Sequence, residues 1–131
     1  MIKIYELKDK SLTSVSSIKK GSWIDLTNPT IEEMQTVIES TKIDKEKILK
    51  LLDEEELPRI EKRKEETVII LDTPYVDDNN KHKYRTNPLG IIISEKGFLI
   101  TVSLKEQPFL DYFKQNEVNN LSEKNKTNFI L

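Results

Sequence analysis

A single domain mixing helices and strands is the fold class this sequence predicts, and three observations carry that prediction. The chain has 131 residues, the size of one ordinary domain, which buries roughly two-thirds of its unfolded surface. Its apolar residues keep helical spacing over residues 31–52, then change to a β-branched run at 67–71 and short continuous apolar runs at 91–93 and 98–100. No apolar run approaches the roughly 18 residues of a membrane span, and charges interrupt residues 1–8, so the start is no signal peptide. The chain reads as a soluble, cytoplasmic domain.

Residues 3–7 alternate apolar and polar positions and predict a half-buried strand. Residues 12–18 are Ser-rich around Leu12, Val15 and Ile18, a weak strand or loop, and 20–22 form a turn. Trp23-Ile24-Asp25-Leu26 is a short strand, stopped at Thr27-Asn28-Pro29. Thr30-Ile31-Glu32-Glu33 is a capping box, in which hydroxyl and carboxylate satisfy free backbone donors reciprocally. Ile31, Met34, Val37, Ile38 and Thr41 then share one helical face. Asp44 caps a second short helix whose stripe is Ile48, Leu49, Leu51 and Leu52. The acidic run Asp53-Glu54-Glu55-Glu56 follows, and Pro58 blocks further helix.

From Ile60 the period is that of a sheet. Residues 60–66 are polar enough only for an edge strand, whereas 67–71 predict a central strand covered on both faces. Residues 77–83 read as a mobile, solvated loop. Residues 84–94 and 98–103 are strands joined by Glu95-Lys96-Gly97, with Gly97 free to take a left-handed conformation. A last helix is expected over 106–113, bearing Phe109, Leu110, Tyr112 and Phe113. Residues 116–128 are rich in Asn and Lys, and the chain stops at Phe129-Ile130-Leu131. Apolar residues are unusual at a loose terminus, so the end reads as the start of a further helix, or else as a tail docked on the core.

Composition narrows the chemistry. With 21 Lys and Arg against 23 Asp and Glu the net charge is −2, which excludes a broadly basic nucleic-acid binder. No Cys and a single His exclude disulfides, thiolate zinc sites, cysteine nucleophiles and multi-His metal centres. Three Gly cannot build a glycine-rich phosphate loop. The acidic run is therefore the main candidate: its oxygens suit a hard divalent cation, although consecutive carboxylates diverge and one chain would not close a shell. The same run placed at a helix C-terminus faces the negative end of the helix dipole. It needs a partner, either Arg59, Lys62, Arg63 and Lys64 or a cation; otherwise it is a solvated helix end. Asp77-Asp78-Asn79-Asn80 lacks the spacing, glycine and distal glutamate of a calcium loop. His82 reads as solvated, Trp23 as core, and no upstream Asp supports a nuclease-like use of Glu61 and Lys62.

The ordered series from Trp23-Ile24-Asp25-Leu26-Thr27-Asn28-Pro29-Thr30, through Leu51-Leu52-Asp53-Glu54-Glu55-Glu56-Leu57-Pro58-Arg59-Ile60-Glu61 and Val68-Ile69-Ile70-Leu71-Asp72-Thr73-Pro74, to the hairpin of residues 88–102 resembles the cytoplasmic N-terminal domain of CorA-type divalent-metal transporters. That resemblance covers about residues 1–115. It implies a three-layer α/β/α sandwich around a mixed sheet of about seven strands, which the element order permits. It further implies a regulatory, ion-sensing domain over 1–115 at the cytoplasmic face of the membrane, with 116–131 opening a stalk helix. The expected partners are the protein's own stalk and transmembrane helices and neighbouring subunits of a homopentamer, with no nucleic acid and no enzymatic activity. The domain alone is expected to be monomeric or weakly associated. Mg²⁺ is the implied regulatory ion, bound between subunits by acidic side chains. One family position for such an acid falls on Lys50 here, a departure from the pattern, and Asp53 and Glu54 are the substitutes about one turn later. A stand-alone interaction or scaffold domain is the rival reading, and a carboxylate–metal enzyme ranks last.

Overall fold

A computed structural model describes residues 1–8, 11–77, 80–107 and 110. Seven strands form one sheet: β1 Ile2–Lys8, β2 Ser11–Val15, β3 Trp23–Thr27, β4 Arg59–Lys62, β5 Glu66–Asp77, β6 Asn80–Ser94 and β7 Phe98–Ser103. Their spatial order is β2-β1-β3-β7-β6-β5-β4. Every pairing is antiparallel except β3 with β7, so the sheet is mixed. Between β3 and β4 the chain forms α1 Ile31–Thr41 and α2 Lys45–Leu51, which carry it from the middle of the sheet to the β4 edge.

The two-fold alternation of the strands sorts their apolar runs onto two faces. Ile24, Leu26, Val68, Ile70, Ile92, Ile100 and Val102 point to the face where Met34 and Val37 of α1, and Ile48 and Leu51 of α2, complete a buried cluster. Trp23, Ile69, Leu89, Ile91 and Leu99 point the other way and bury a second cluster with Leu110. Burial on both faces explains why 67–71 reads as continuously apolar. The expected last helix, over 106–113, lies outside the described residues except for its first positions and Leu110, as does the 116–131 segment. Gly90 of β6 sits directly under α2: a Cβ there would lie 2.8 Å from the Leu51 side chain. Its bare backbone lets the helix seat against the sheet.

The capping box is present as read, with Glu33 N–H donating to Thr30 Oγ1 at 3.1 Å and Thr30 N–H to Glu33 Oε1 at 2.9 Å. α1 ends at Lys42, which takes a left-handed conformation with φ 61°. Asp44 caps α2, accepting from Glu46 N–H. Gly97 has φ 97° in the β6–β7 hairpin, as its position suggested.

Three expectations need correction. Residues 77 and 80–83 are strand, not loop: β5 and β6 stay paired up to Val76 opposite Tyr84, and on to Asp77 opposite Asn80 past a register shift. β7 covers β6 only over 89–94, and β4 covers β5 only over 67–70. The remainder of β5 and β6 is a two-stranded arm without a flanking strand; its 84–88 part falls within the strand expected from the sequence, whereas 72–77 and 80–83 carry too little hydrophobic pattern to announce one. Ile31 is 71% exposed and Leu49 45% exposed, so the buried stripes of α1 and α2 are narrower than their apolar patterns.

Candidate functional site

α2 ends abruptly. The N–H of Leu52 donates to the Leu49 carbonyl and that of Asp53 to the Lys50 carbonyl, a tightened last turn that uses two free carbonyls. Asp53 Oδ1 then accepts from Glu55 N–H at 2.9 Å, and Glu56 N–H donates to the Asp53 carbonyl at 3.2 Å. The acidic run is thus a compact turn and not a continued helix, well before Pro58 acts. Asp53, Glu54 and Glu55 are exposed, while Glu56 is half-buried.

The difference comes from Arg59. Its Nη1 donates to Glu56 Oε2 at 2.5 Å and to the Leu57 carbonyl, and its Nε donates to Glu61 Oε1 at 2.6 Å. Arg63 Nη2 reaches the other oxygen of Glu61 at 3.1 Å. The planar guanidinium suits this use, since its donors diverge at fixed angles. Arg59 and Arg63 together hold the Glu61 carboxyl down at about 2, against its ordinary 4.5, with Lys50 adding a smaller pull. The same contacts raise the Arg59 pKa further above its ordinary range.

Of the cations that the sequence offered to the acidic run, the structure brings Arg59 to Glu56 and gives Arg63 to Glu61. Among the described residues no cation pairs with Asp53 or Glu54. These two candidates are neighbours in a turn that faces water. No group of three or more His, Cys, Asp or Glu side chains among the described residues is spaced to hold a metal ion. The pair therefore offers part of a shell for a cation, with further ligands needed from outside. The departure at Lys50 is exposed and its charge acts on Glu61.

Sequence reasoning missed two polar pairings. Lys47 of α2 donates to Glu66 at the start of β5, whose side chain is buried. Asp25 of β3, also buried, accepts from Thr101 Oγ1 of β7 at 2.8 Å, and Thr101 Oγ1 accepts from Trp23 Nε1 at 3.0 Å. The signal for the second was the Asp within an otherwise apolar strand, which requires a hydrogen-bond donor when buried. The side chain of His82 lies outside the described residues.

Residues 19–131 match the family model described as "CorA-like Mg2+ transporter protein". No individual curated protein matches the chain. In structure, the chain is similar to the complete CorA magnesium transporter from Methanocaldococcus jannaschii, with a TM-score of 0.74 at 21% identity over 88% of this chain and 36% of that one. The soluble domain of CorA from the same organism gives 0.73 at 20% identity, over 95% of this chain and 48% of that one. The ZntB cytoplasmic domain from Vibrio parahaemolyticus gives 0.69 at 13% identity, over 86% and 47%. This chain thus spans less than half the length of each. Likeness at such identities bears on the fold: the α/β architecture with a seven-stranded mixed sheet is shared.

Proposed function

This chain belongs to the CorA-like Mg2+ transporter protein family, and from that premise we propose that it is the cytoplasmic, cation-sensing domain of a divalent-cation transporter. The observation that carries the reading is the family match over 19–131 together with a fold like that of a CorA soluble domain. The family is one of transporters, so the chain is read as a binding domain and not a catalyst. No helix among the described residues is long and apolar enough to cross a membrane.

In this reading Mg²⁺ is the regulatory ligand, and Asp53 and Glu54 are part of its site. Exposure, and the absence of a lysine or arginine partner among the described residues, support them: a carboxylate already clasped by a cation, like Glu56 or Glu61, would have to give up that partner first. Two monodentate carboxylates leave most of an octahedral Mg²⁺ shell to water or a neighbour. A second subunit supplies the remainder, which ties the site to assembly in a homopentamer with stalk and transmembrane helices. Ion binding that bridges subunits stabilises the bridged arrangement by mass action, which is how such a site favours a closed pore. Localisation at the cytoplasmic face of the membrane follows from this role.

The reading frame beyond the codon for Leu131 tests this proposal. The expected result is two apolar spans of about 20 residues each, the first ending in Gly-Met-Asn. A frame that closes without such spans would contradict it and leave a stand-alone interaction domain.

A further inference from the structure

A cavity of about 270 Å³ opens between the α1–α2 connection, the β4–β5 turn and the β6–β7 hairpin. Five cations line it: Lys42, Lys47, Arg63, Lys64 and Lys96. Its three acids are all engaged. Asp44 caps α2, Glu66 is buried against Lys47, and Glu65 reaches Lys96 at 4.0 Å. Arg63 is shared with Glu61 outside the cavity. Lys42 and Lys64 have no acidic partner among the described residues. A protein with net charge −2 thus gathers an excess of positive charge in one concavity, which raises the local concentration of anions.

The backbone fixes the points from which two of these exposed side chains leave the chain. Lys42 is fixed in the left-handed C-cap of α1, its N–H donating to the Ile38 carbonyl at 2.8 Å. The turn that carries Lys64 is pinned on both sides, Arg63 N–H to the Glu66 carbonyl at 2.8 Å and Glu95 N–H to the Glu65 carbonyl at 2.9 Å. Like charges gathered on one concavity oppose each other unless an anion joins them, and pinned connections spare the backbone part of the ordering cost of binding one.

We propose that this cavity binds a phosphate-bearing dianion or polyanion. Two uncompensated lysines match a ligand with at least two negative charges, and Arg63 adds a forked donor suited to phosphate oxygens. The volume falls just below the roughly 300–1,000 Å³ of pockets for drug-sized ligands. It has room for one or two phosphate groups. The inference stands on the cavity alone and does not depend on the role assigned to Asp53 and Glu54.

The test is an amide-resolved NMR titration of the 131-residue chain with pyrophosphate, ADP and adenosine in turn. The expected result is saturable shifts at Lys42, Lys64 and Lys96 with pyrophosphate and ADP, and none there with adenosine. Equal affinities identify the phosphates themselves as the ligand, whereas distinctly tighter ADP identifies a nucleotide as their source. The double variant Lys42→Asn with Lys64→Gln should weaken pyrophosphate binding about tenfold or more, since each 1.4 kcal/mol is a factor of ten. Asn tolerates the left-handed position, and an unchanged amide spectrum elsewhere shows that the variant is folded. Lys3→Gln, exposed on β1, should leave the affinity unchanged. Absence of saturable shifts into the millimolar range, or equal binding by the double variant and the parent chain, would overturn the proposal.

Discussion

Arg59 shows how one side chain sets the electrostatics of a whole corner. By taking Glu56 and Glu61 at once it consumes two of the corner's acids, and so separates them from Asp53 and Glu54. The pH dependence follows from Glu61. Its carboxyl titrates near 2 when folded against an ordinary 4.5, so between those values the unfolded chain binds more protons than the native one. Its contribution is complete above about 4.5 and is lost as the pH falls toward about 2. Glu61→Gln should flatten the acid limb of a urea-midpoint profile in that window; an unchanged limb would show that Arg59 does not hold this carboxyl. Glu33, lowered by the Thr30 backbone N–H, keeps some slope in the variant. Gly90 makes the opposite point, that an absent side chain can be structural. Gly90→Ala places a methyl 2.8 Å from Leu51 and should cost about 1–3 kcal/mol by overpacking, read from denaturant unfolding.

Elements were legible in proportion to how much local chemistry specifies them. α1 was readable because Thr30 and Glu33 form a reciprocal cap, and Thr30→Ala should cost about 1 kcal/mol of stability in urea unfolding. The β5 core was readable because Val68, Ile69 and Ile70 are buried on alternate faces. The far part of the β5–β6 arm was not, because residues 72–77 and 80–83 pair backbone to backbone without a flanking strand, and their sequence offers no hydrophobic period to detect. The β3–β7 parallel contact was invisible too: Trp23 meets Leu99, 76 positions further along the chain, and nothing local fixes that neighbour. At the candidate site the sequence offered Asp53 and Glu54 as candidates, but not that Arg59 would take up Glu56 and Glu61 together. Three-dimensional proximity of Lys42, Lys64 and Lys96, from three separate connections, was likewise beyond any reading of spacing.

At the scale of the whole molecule the sheet is a platform. It holds α1 and α2 on one face, and by ending α2 at Leu51 it presents the acidic turn at the β4 edge. An incomplete shell of two exposed carboxylates should bind Mg²⁺ weakly in the isolated chain, in the millimolar range or worse, which corresponds to about 4 kcal/mol or less. Light scattering at micromolar concentration should accordingly find the chain monomeric or weakly associated, with or without Mg²⁺; a stable pentamer of this chain alone would contradict that expectation. The central claim is that this domain senses cations through its acidic turn on behalf of a transporter. Its most direct test is the Mg²⁺ dependence of closure in the full-length assembly, compared with the double substitution Asp53→Ala and Glu54→Ala. The account predicts that the substituted protein needs distinctly more Mg²⁺ to close, whereas superimposable closure curves would contradict it.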